Sequence, residues 1–192
     1  MAVSVVPDGL LALTAASAAR GIPLQVAGRE LPCPLRLEYD TPRTLGADRW
    51  VGALAAFRRY GRSIVVDCGT ATTVNLVDGD GVFRGGSIAP GLGALVTGLA
   101  VAAPALPIPR LDAEPAVPPR NTQSAIDTGV LLGYCGLVER LVSATLRAAR
   151  GPAQVVLTGG HAARLLRHTN LHPVHVPDLV HQGLRALVGA TP

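Results

Sequence analysis

Aromatic residues are scarce: Phe, Trp and Tyr together make up 3% of the 192 residues. A core built from this chain is therefore expected to be aliphatic, of Val, Leu, Ile and Ala. The same scarcity removes the stacking surfaces on which single-stranded nucleic acid is held. Net charge is only +4, from 17 basic and 13 acidic residues, and the arginines are scattered. No nucleic-acid partner is expected from that pattern. Attraction of a small anion fits the charge equally well. Cysteines number three, Cys33, Cys68 and Cys135. Odd in number and far apart, they form neither a disulfide framework nor a zinc spacing. They read as small buried side chains in a reducing cytoplasm. The histidines at 161, 168, 172, 175 and 181 show no metal spacing and read as surface or loop residues. Arg, Asp, Gly or Pro interrupts the apolar stretches before membrane-spanning length, so no membrane partner is expected. The opening MAVSVVPDG has neither the basic region nor the cleavage site of a secretory signal. No Walker-type GxxxxGK[ST] is found.

What remains is a chain that is 48% hydrophobic with a mean hydropathy of +0.36, enough for one medium domain or two small ones. VSVV (3–6) reads as a short strand and PDGLLALTAASAARG (7–21) as a helix ending at Gly21. PLQVAG (23–28) and PLRLEY (34–39) read as strands broken by prolines. GADRWVGALAAFRRYG (46–61) reads as a helix. SIVVDCGTATTVNLV-DGDG-VFRGG (63–86) reads as three strands joined by turns, with DGDG as a hairpin signal. IAPGLGALVTGLAVAA (88–103) starts with Pro-Gly and becomes a helix. Six prolines between 104 and 120 mark a connector. Asn121 or Thr122 can then cap a long helix running to about Arg150. QVVLTGG (154–160) reads as strand and turn, HAARLLRHT (161–169) as helix, HPVHV (172–176) as strand and PDLVHQGLRALVGA (177–190) as a closing helix. The order β-β-β-α-α-β-α-β-α from residue 63 describes a mixed sheet covered by helices.

Four stretches carry groups that a core does not need. In VVDCGTATT (65–73) an acid ends an apolar strand, and Gly69 lets the backbone turn tightly and approach a ligand. Asp67 can hold a cation there, and the threonines with free amides can hold phosphate oxygens. An Asx turn, with Asp67 bonding its own backbone, explains the same residues. In LEYDTPRTLGADRW (37–50), Gly46 permits a tight entry to a helix whose first turn carries Asp48 and Arg49. An Asp here can take a proton from a hydroxyl, and an Arg can pair with a carboxylate. Asp48 equally complements the helix dipole, and Tyr39 either caps a pocket or packs half-buried. In PPRNTQSAIDTG (118–129), Thr122 is either a helix cap or a binding residue. The glycines of TGG (158–160) either close a turn or let a flat ligand lie on the backbone.

Together these stretches resemble the type III pantothenate kinases of the acetate and sugar kinase/chaperone/actin superfamily. The matching segments are SVVP (4–7), YDTPRTLGADR (39–49), VVDCGTATT (65–73), GGSIAPGL (85–92), LP (106–107), RNTQSAIDTG (120–129), LTGG (157–160) and PDLVHQGL (177–184). They stand in the family's order and cover nearly the whole chain. The resemblance implies an α/β fold of ribonuclease H-like (actin-like ATPase) domains, each a mixed sheet flanked by helices. It implies a remnant of the first domain over 1–61 and a complete second domain over 62–192. It implies ATP-dependent phosphorylation of pantothenate to 4′-phosphopantothenate, the first step toward coenzyme A. Asp48 matches the catalytic base. Tyr39, Gly46, Ala47, Arg49 and Thr122 match pantothenate-binding positions. Asp67 matches a ligand of a monovalent cation, K⁺ or NH₄⁺, and Thr70 an ATP contact, with Mg²⁺ on the nucleotide. A homodimer is implied, with the pantothenate site near its interface.

The chain departs from the family pattern in places. The family's first phosphate loop, Asp-x-Gly-Asn-Thr, is not found ahead of SVVP, so several dozen residues are expected to be missing, through a misplaced start or in a short paralogue. The 192-residue form is accordingly expected to be a poor kinase, with a regulatory or scaffold role as the alternative. Pro119-Arg120 stands where Gly-Lys is usual, and Trp50 where an aliphatic residue is usual.

Overall fold

The computed structural model describes residues 1–4 and 7–188. Helix α1 spans Pro7–Ala18, strand β1 Arg36–Leu37, helix α2 Ala47–Tyr60 and strands β2, β3 and β4 Ser63–Cys68, Ala71–Val77 and Val82–Pro90. Helices α3 (Leu92–Ala102) and α4 (Thr122–Ala148) follow, then β5 (Gln154–Thr158), α5 (Ala162–His168), β6 (Val174–His175) and α6 (Leu179–Val188). From residue 63 the element order is the expected β-β-β-α-α-β-α-β-α. Strand order is β1-β4-β3-β2-β5-β6. The turns between β2, β3 and β4 are too short for a crossover, so these neighbours run antiparallel. β1 pairs parallel with β4, Arg36 opposite Val82, and β5 pairs parallel with β6, Val156 opposite Val174. The sheet is therefore mixed, and helices flank it, in the α/β class the sequence implies.

Proline shaped the differences. PLQVAG forms no strand, only single bridges from Val26 to Ala2 and from Ala27 to Leu31. PLRLEY and HPVHV each shrink to two paired residues. Proline supplies no N–H to a ladder, so these segments pair only briefly. β4 instead runs past Gly86 to Pro90, where Pro90-Gly91 ends it. The strand expected over 3–6 and the helix expected to reach 190 extend beyond the described residues, at 5–6 and 189–190.

The chain divides into two compact units. One comprises Met1–Ser63, Asn75–Gly85 and Asp178–Pro192. Its core gathers Leu35, Leu45, Trp50, Val51, Leu54, Val77, Phe83 and Leu187. The other comprises Ile64–Val74 and Gly86–Pro177, with a core of Ile64, Val66, Leu92, Tyr134, Val138, Leu157 and Leu165. Both cores are mainly aliphatic, yet Trp50, Phe83 and Tyr134 are each at most 3% exposed, so half of the six aromatic rings sit at the centres.

In the first unit, α2 is buried on all sides from Arg49 to Ala56, with Trp50, Val51, Ala53 and Leu54 in the core. It stops at Gly61, whose positive φ of 69° suits glycine and whose N–H donates to the Phe57 carbonyl. α6 crosses α2 closely: a Cβ at Gly183 would lie 2.2 Å from the Val51 carbonyl oxygen. The DGDG turn is held by Asp78, whose carboxylate accepts from the Asp80 and Val82 amides and pairs with Arg84. Burial opposes ionisation of Asp78, but these hydrogen bonds prevail and its carboxyl lies below its ordinary value.

In the second unit, α4 starts at a capping box. The Asn121 side chain accepts from the Ser124 amide, and the Ser124 hydroxyl accepts from the Asn121 amide. At 27 residues α4 is long and apolar enough to cross a membrane by length and composition. Asp127, Glu139 and Arg140 nonetheless interrupt its apolar run. Polar residues tie this helix to its own unit: Asp127 to Arg110, and Glu139 to Thr169 and Asn170.

Candidate functional site

The sequence-derived candidates fall into two groups, one in each unit. In the first unit they gather at the start of α2. Gly46 is the N-cap, with φ −56° and ψ 129°, and gives no side-chain cap. Asp48, in the first turn, accepts at Oδ1 from the Arg49 amide at 2.9 Å, an amide that also donates to the Gly46 carbonyl at 3.1 Å. Its carboxylate thus sits where the unpaired N–H groups of the first turn favour negative charge. Asp48 is half-buried and lines an open cavity of about 540 Å³. The N-terminal segment 1–4, Val180, His181 and Leu184 complete that wall.

Arg49 points elsewhere. It is 7% exposed. Its Nε donates to Asn75 Oδ1 at 2.8 Å and its Nη1 to the Tyr39 hydroxyl at 3.3 Å. The guanidinium carbon lies 5.7 Å from the Tyr39 ring centre and 5.8 Å from that of Phe83. The two rings meet edge to face at 6.2 Å. A cation buried between rings and an amide oxygen is satisfied in place. Tyr39 is thereby a half-buried packing partner, and its hydroxyl accepts a bond from Arg49. Asn75 was not singled out from the sequence. The signal was there: an amide 1% exposed within the otherwise apolar run VNLV.

In the second unit three glycine-bearing motifs meet at the turn after β2. The Gly91 amide donates to the Thr70 carbonyl at 3.1 Å, and the His161 amide to the Cys68 carbonyl at 3.0 Å. A Cβ at Gly91 would lie 2.3 Å from the Gly69 oxygen and 2.4 Å from the Thr70 oxygen. At Gly159, whose φ is +96°, a Cβ would lie 2.4 Å from Asp67 Oδ1 and 2.6 Å from the Cys68 backbone. Gly159 of TGG therefore lets protein backbone pass close, rather than a flat ligand. Gly69, the glycine marked by the sequence, is less constrained: a Cβ there meets ordinary contacts at 3.5 and 3.6 Å, and its φ is not left-handed. Asp67 is half-buried and Thr70 exposed. Beneath the turn Thr72 and Tyr134 share a buried 2.8 Å hydrogen bond.

Thr122 is the exposed first residue of α4, and the cap is Asn121. A capping role for Thr122 is thereby corrected. The acid of the same motif, Asp127, clamps the proline-rich connector. It accepts from the Arg110 amide at 2.7 Å, from Arg110 Nη2 at 2.8 Å and from Gln123 at 2.9 Å. Thr128 adds bonds to the Ala116 backbone. Burial opposes ionisation of Asp127, but the Arg110 and Gln123 hydrogen bonds outweigh it and lower its carboxyl.

All three cysteines are free, and burial pushes each thiol up to about 11. They are poor nucleophiles at neutral pH. Among the described residues no group of three or more His, Cys, Asp and Glu is arranged to hold a metal ion.

A family model described as type III pantothenate kinase matches residues 1–144. A type III pantothenate kinase from Syntrophotalea carbinolica is 40% identical over 164 residues, covering 84% of this chain and 64% of that protein. One from Roseiflexus sp. is 41% identical over 157 residues, covering 81% and 62%. The chain spans between 62% and 64% of the length of these two relatives. Among solved structures, a conserved putative Baf family transcriptional activator from Campylobacter jejuni superposes with a TM-score of 0.57 at 23% identity, over 82% of this chain and 68% of that one. That likeness concerns the fold alone.

Proposed function

The chain belongs to the type III pantothenate kinase family, and on that premise we propose that it acts in ATP-dependent phosphorylation of pantothenate to 4′-phosphopantothenate. The observation that carries this reading is the setting of Asp48: a carboxylate in a helix first turn, half-buried, in the wall of a cavity large enough for a small hydroxy acid. Asp48 accepts the proton of the attacking pantothenate hydroxyl. The hydroxyl oxygen bonds to the γ-phosphorus as the bond from that phosphorus to the bridging oxygen breaks, and ADP leaves. Catalysis of such a transfer rests on positioning and charge neutralisation.

The other roles belong to the same proposal. Tyr39, Gly46, Ala47, Arg49 and Thr122 serve pantothenate binding. Arg49 does so from a buried position, holding Tyr39 in place. Thr70 contacts ATP, which carries Mg²⁺. Asp67 holds a monovalent cation, K⁺ or NH₄⁺; a half-buried carboxylate beside backbone carbonyls is an oxygen donor set that suits a hard cation. When bound, that ion offsets phosphate charge. Residues 1–61 correspond to the remnant of a first ribonuclease H-like domain and 62–192 to a second, complete one. A homodimer is supported by α3, an apolar helix of which only Leu92 is buried. A cytoplasmic setting is supported by three free thiols.

Formation of 4′-phosphopantothenate from ATP by the full chain tests the activity. Asp48→Asn is expected to lower turnover about 10²- to 10⁴-fold while nucleotide binding survives. Turnover unchanged in that variant removes Asp48 as the base. Pantothenate binding without any turnover would favour a non-catalytic role.

A further inference from the structure

Tyr134 on α4 is 0% exposed and the bulkiest of the fully buried side chains among the described residues. The core of its unit is mainly aliphatic, and a phenol hydroxyl there carries a desolvation cost that Phe would not. Such a hydroxyl needs a partner. The partner is Thr72, itself 0% exposed, at 2.8 Å. Phe and Val would fill the same space with no buried polar pair to satisfy. What sets this pair apart is its place. Thr72 lies near the start of β3, two residues after Thr70. The Cys68 thiol, at the end of β2, meets the same Tyr134 hydroxyl. One phenol oxygen thus touches both limbs of the turn that carries Asp67 and Thr70. Burial raises the Tyr134 phenol, so it keeps its proton and can donate as well as accept. The ties from Gly91 to the Thr70 carbonyl and from His161 to the Cys68 carbonyl are made by backbone amides. Those ties hold residues 68 and 70; Tyr134 holds the β3 limb at Thr72.

We propose that Tyr134 is a positioning residue of the Asp67–Thr70 turn: through Thr72 it fixes where β3 begins, and so holds the amides and hydroxyl of the turn in place for a nucleotide phosphate. This inference rests on the reading of the turn as the ATP and cation site. It adds a residue on another element that acts on that site through Thr72. Apolar packing lets two surfaces slide, whereas a hydrogen bond is directional. A shift of about 1 Å in a group that positions a ligand can cost up to about 10²-fold.

The experiment measures binding of ATP with Mg²⁺ in potassium chloride by calorimetry, beside thermal unfolding. It uses the full chain, Tyr134→Phe, Thr72→Val, Thr72→Ser and the double variant Tyr134→Phe/Thr72→Val. Tyr134→Phe and Thr72→Val each leave one buried hydroxyl without its partner. Each is expected to lower the melting temperature by about 3–6 °C and ATP affinity about tenfold. Thr72→Ser keeps the hydroxyl and is expected to hold affinity within about twofold. The double variant removes both hydroxyls, so it regains most of the stability while its ATP affinity stays about tenfold low. Affinity that recovers together with stability in the double variant, or that Tyr134→Phe leaves unchanged, overturns the positioning role while leaving ATP as the ligand. No ATP binding by the unmodified chain overturns the functional reading and this inference with it.

Discussion

The start of α2 in the first unit and the turn after β2 in the second solve the same problem by different means. Each must hold an acid near the surface in a fixed place. At α2 the work falls to side chains: Arg49 is buried between Tyr39 and Phe83 and bonded to Asn75, and this stack fixes the residue beside Asp48. At the β2 turn it falls to backbone: Gly91 and Gly159 approach Asp67–Thr70 closer than any Cβ allows. The difference teaches where each region is fragile. The first breaks when a partner is lost, the second when an atom is added.

The largest effect is expected at Gly159. Gly159→Ala puts a methyl group against Asp67 and Cys68 at a φ of +96° and is expected to cost about 3 kcal/mol or more in chemical denaturation. Gly69→Ala is expected to stay within about 1 kcal/mol, since its contacts are ordinary. Equal costs at the two positions would break the account of the turn.

Next comes Asn75. Asn75→Leu removes the acceptor of Arg49 Nε in a buried site and is expected to cost about 2 kcal/mol. A neutral result would mean that the aromatic stack alone holds Arg49, and the side-chain half of the comparison would fall.

A smaller effect follows at Asp127, where the second unit does use a side-chain clamp. Its folded carboxyl lies below the unfolded value of about 3.9. The stabilisation is therefore fully present above pH about 4 and is lost as pH falls through the folded value. Arg110 is 59% exposed, so solvent screening holds the effect of Asp127→Asn near 1–2 kcal/mol at neutral pH. The variant's stability should also fall less steeply in acid. A wild-type and variant pair with parallel acid profiles would remove Asp127 as a stabilising carboxylate.

The smallest effect concerns Thr122. Because Asn121 is the cap, Thr122→Ala should change stability by less than about 0.5 kcal/mol, whereas Asn121→Ala should cost about 1 kcal/mol. A fall in pantothenate affinity in Thr122→Ala at unchanged stability would then report binding and not folding.

Much of this was legible in the chain. Alternation and turn signals gave the three strands over 63–86, though not the run of the last one to Pro90, and the capping residues gave the start of α4 within one position. GADR, DCGTATT and APG marked both candidate regions, because local chemistry at a helix start or a glycine turn is written in consecutive residues. Less legible were the pairings that link distant segments. Which glycine must lack a Cβ depends on what passes beside it, and Gly159 and Gly91 proved more constrained than Gly69. That Asn75 answers Arg49, that Asp127 pins the connector, and that His181 shares a cavity with Asp48 required the chain to be folded.

The sequence by itself determined the order of elements from residue 63, the aliphatic character of the cores and the positions of the acids. Those follow from hydrophobic period, capping and turn chemistry, which act over a few residues. Only the tertiary structure decided which acid stays open to a ligand and which charge is consumed by packing. Desolvation and close approach depend on neighbours far along the chain, and that is why Asp48 lines a cavity while Arg49, the next residue, is buried.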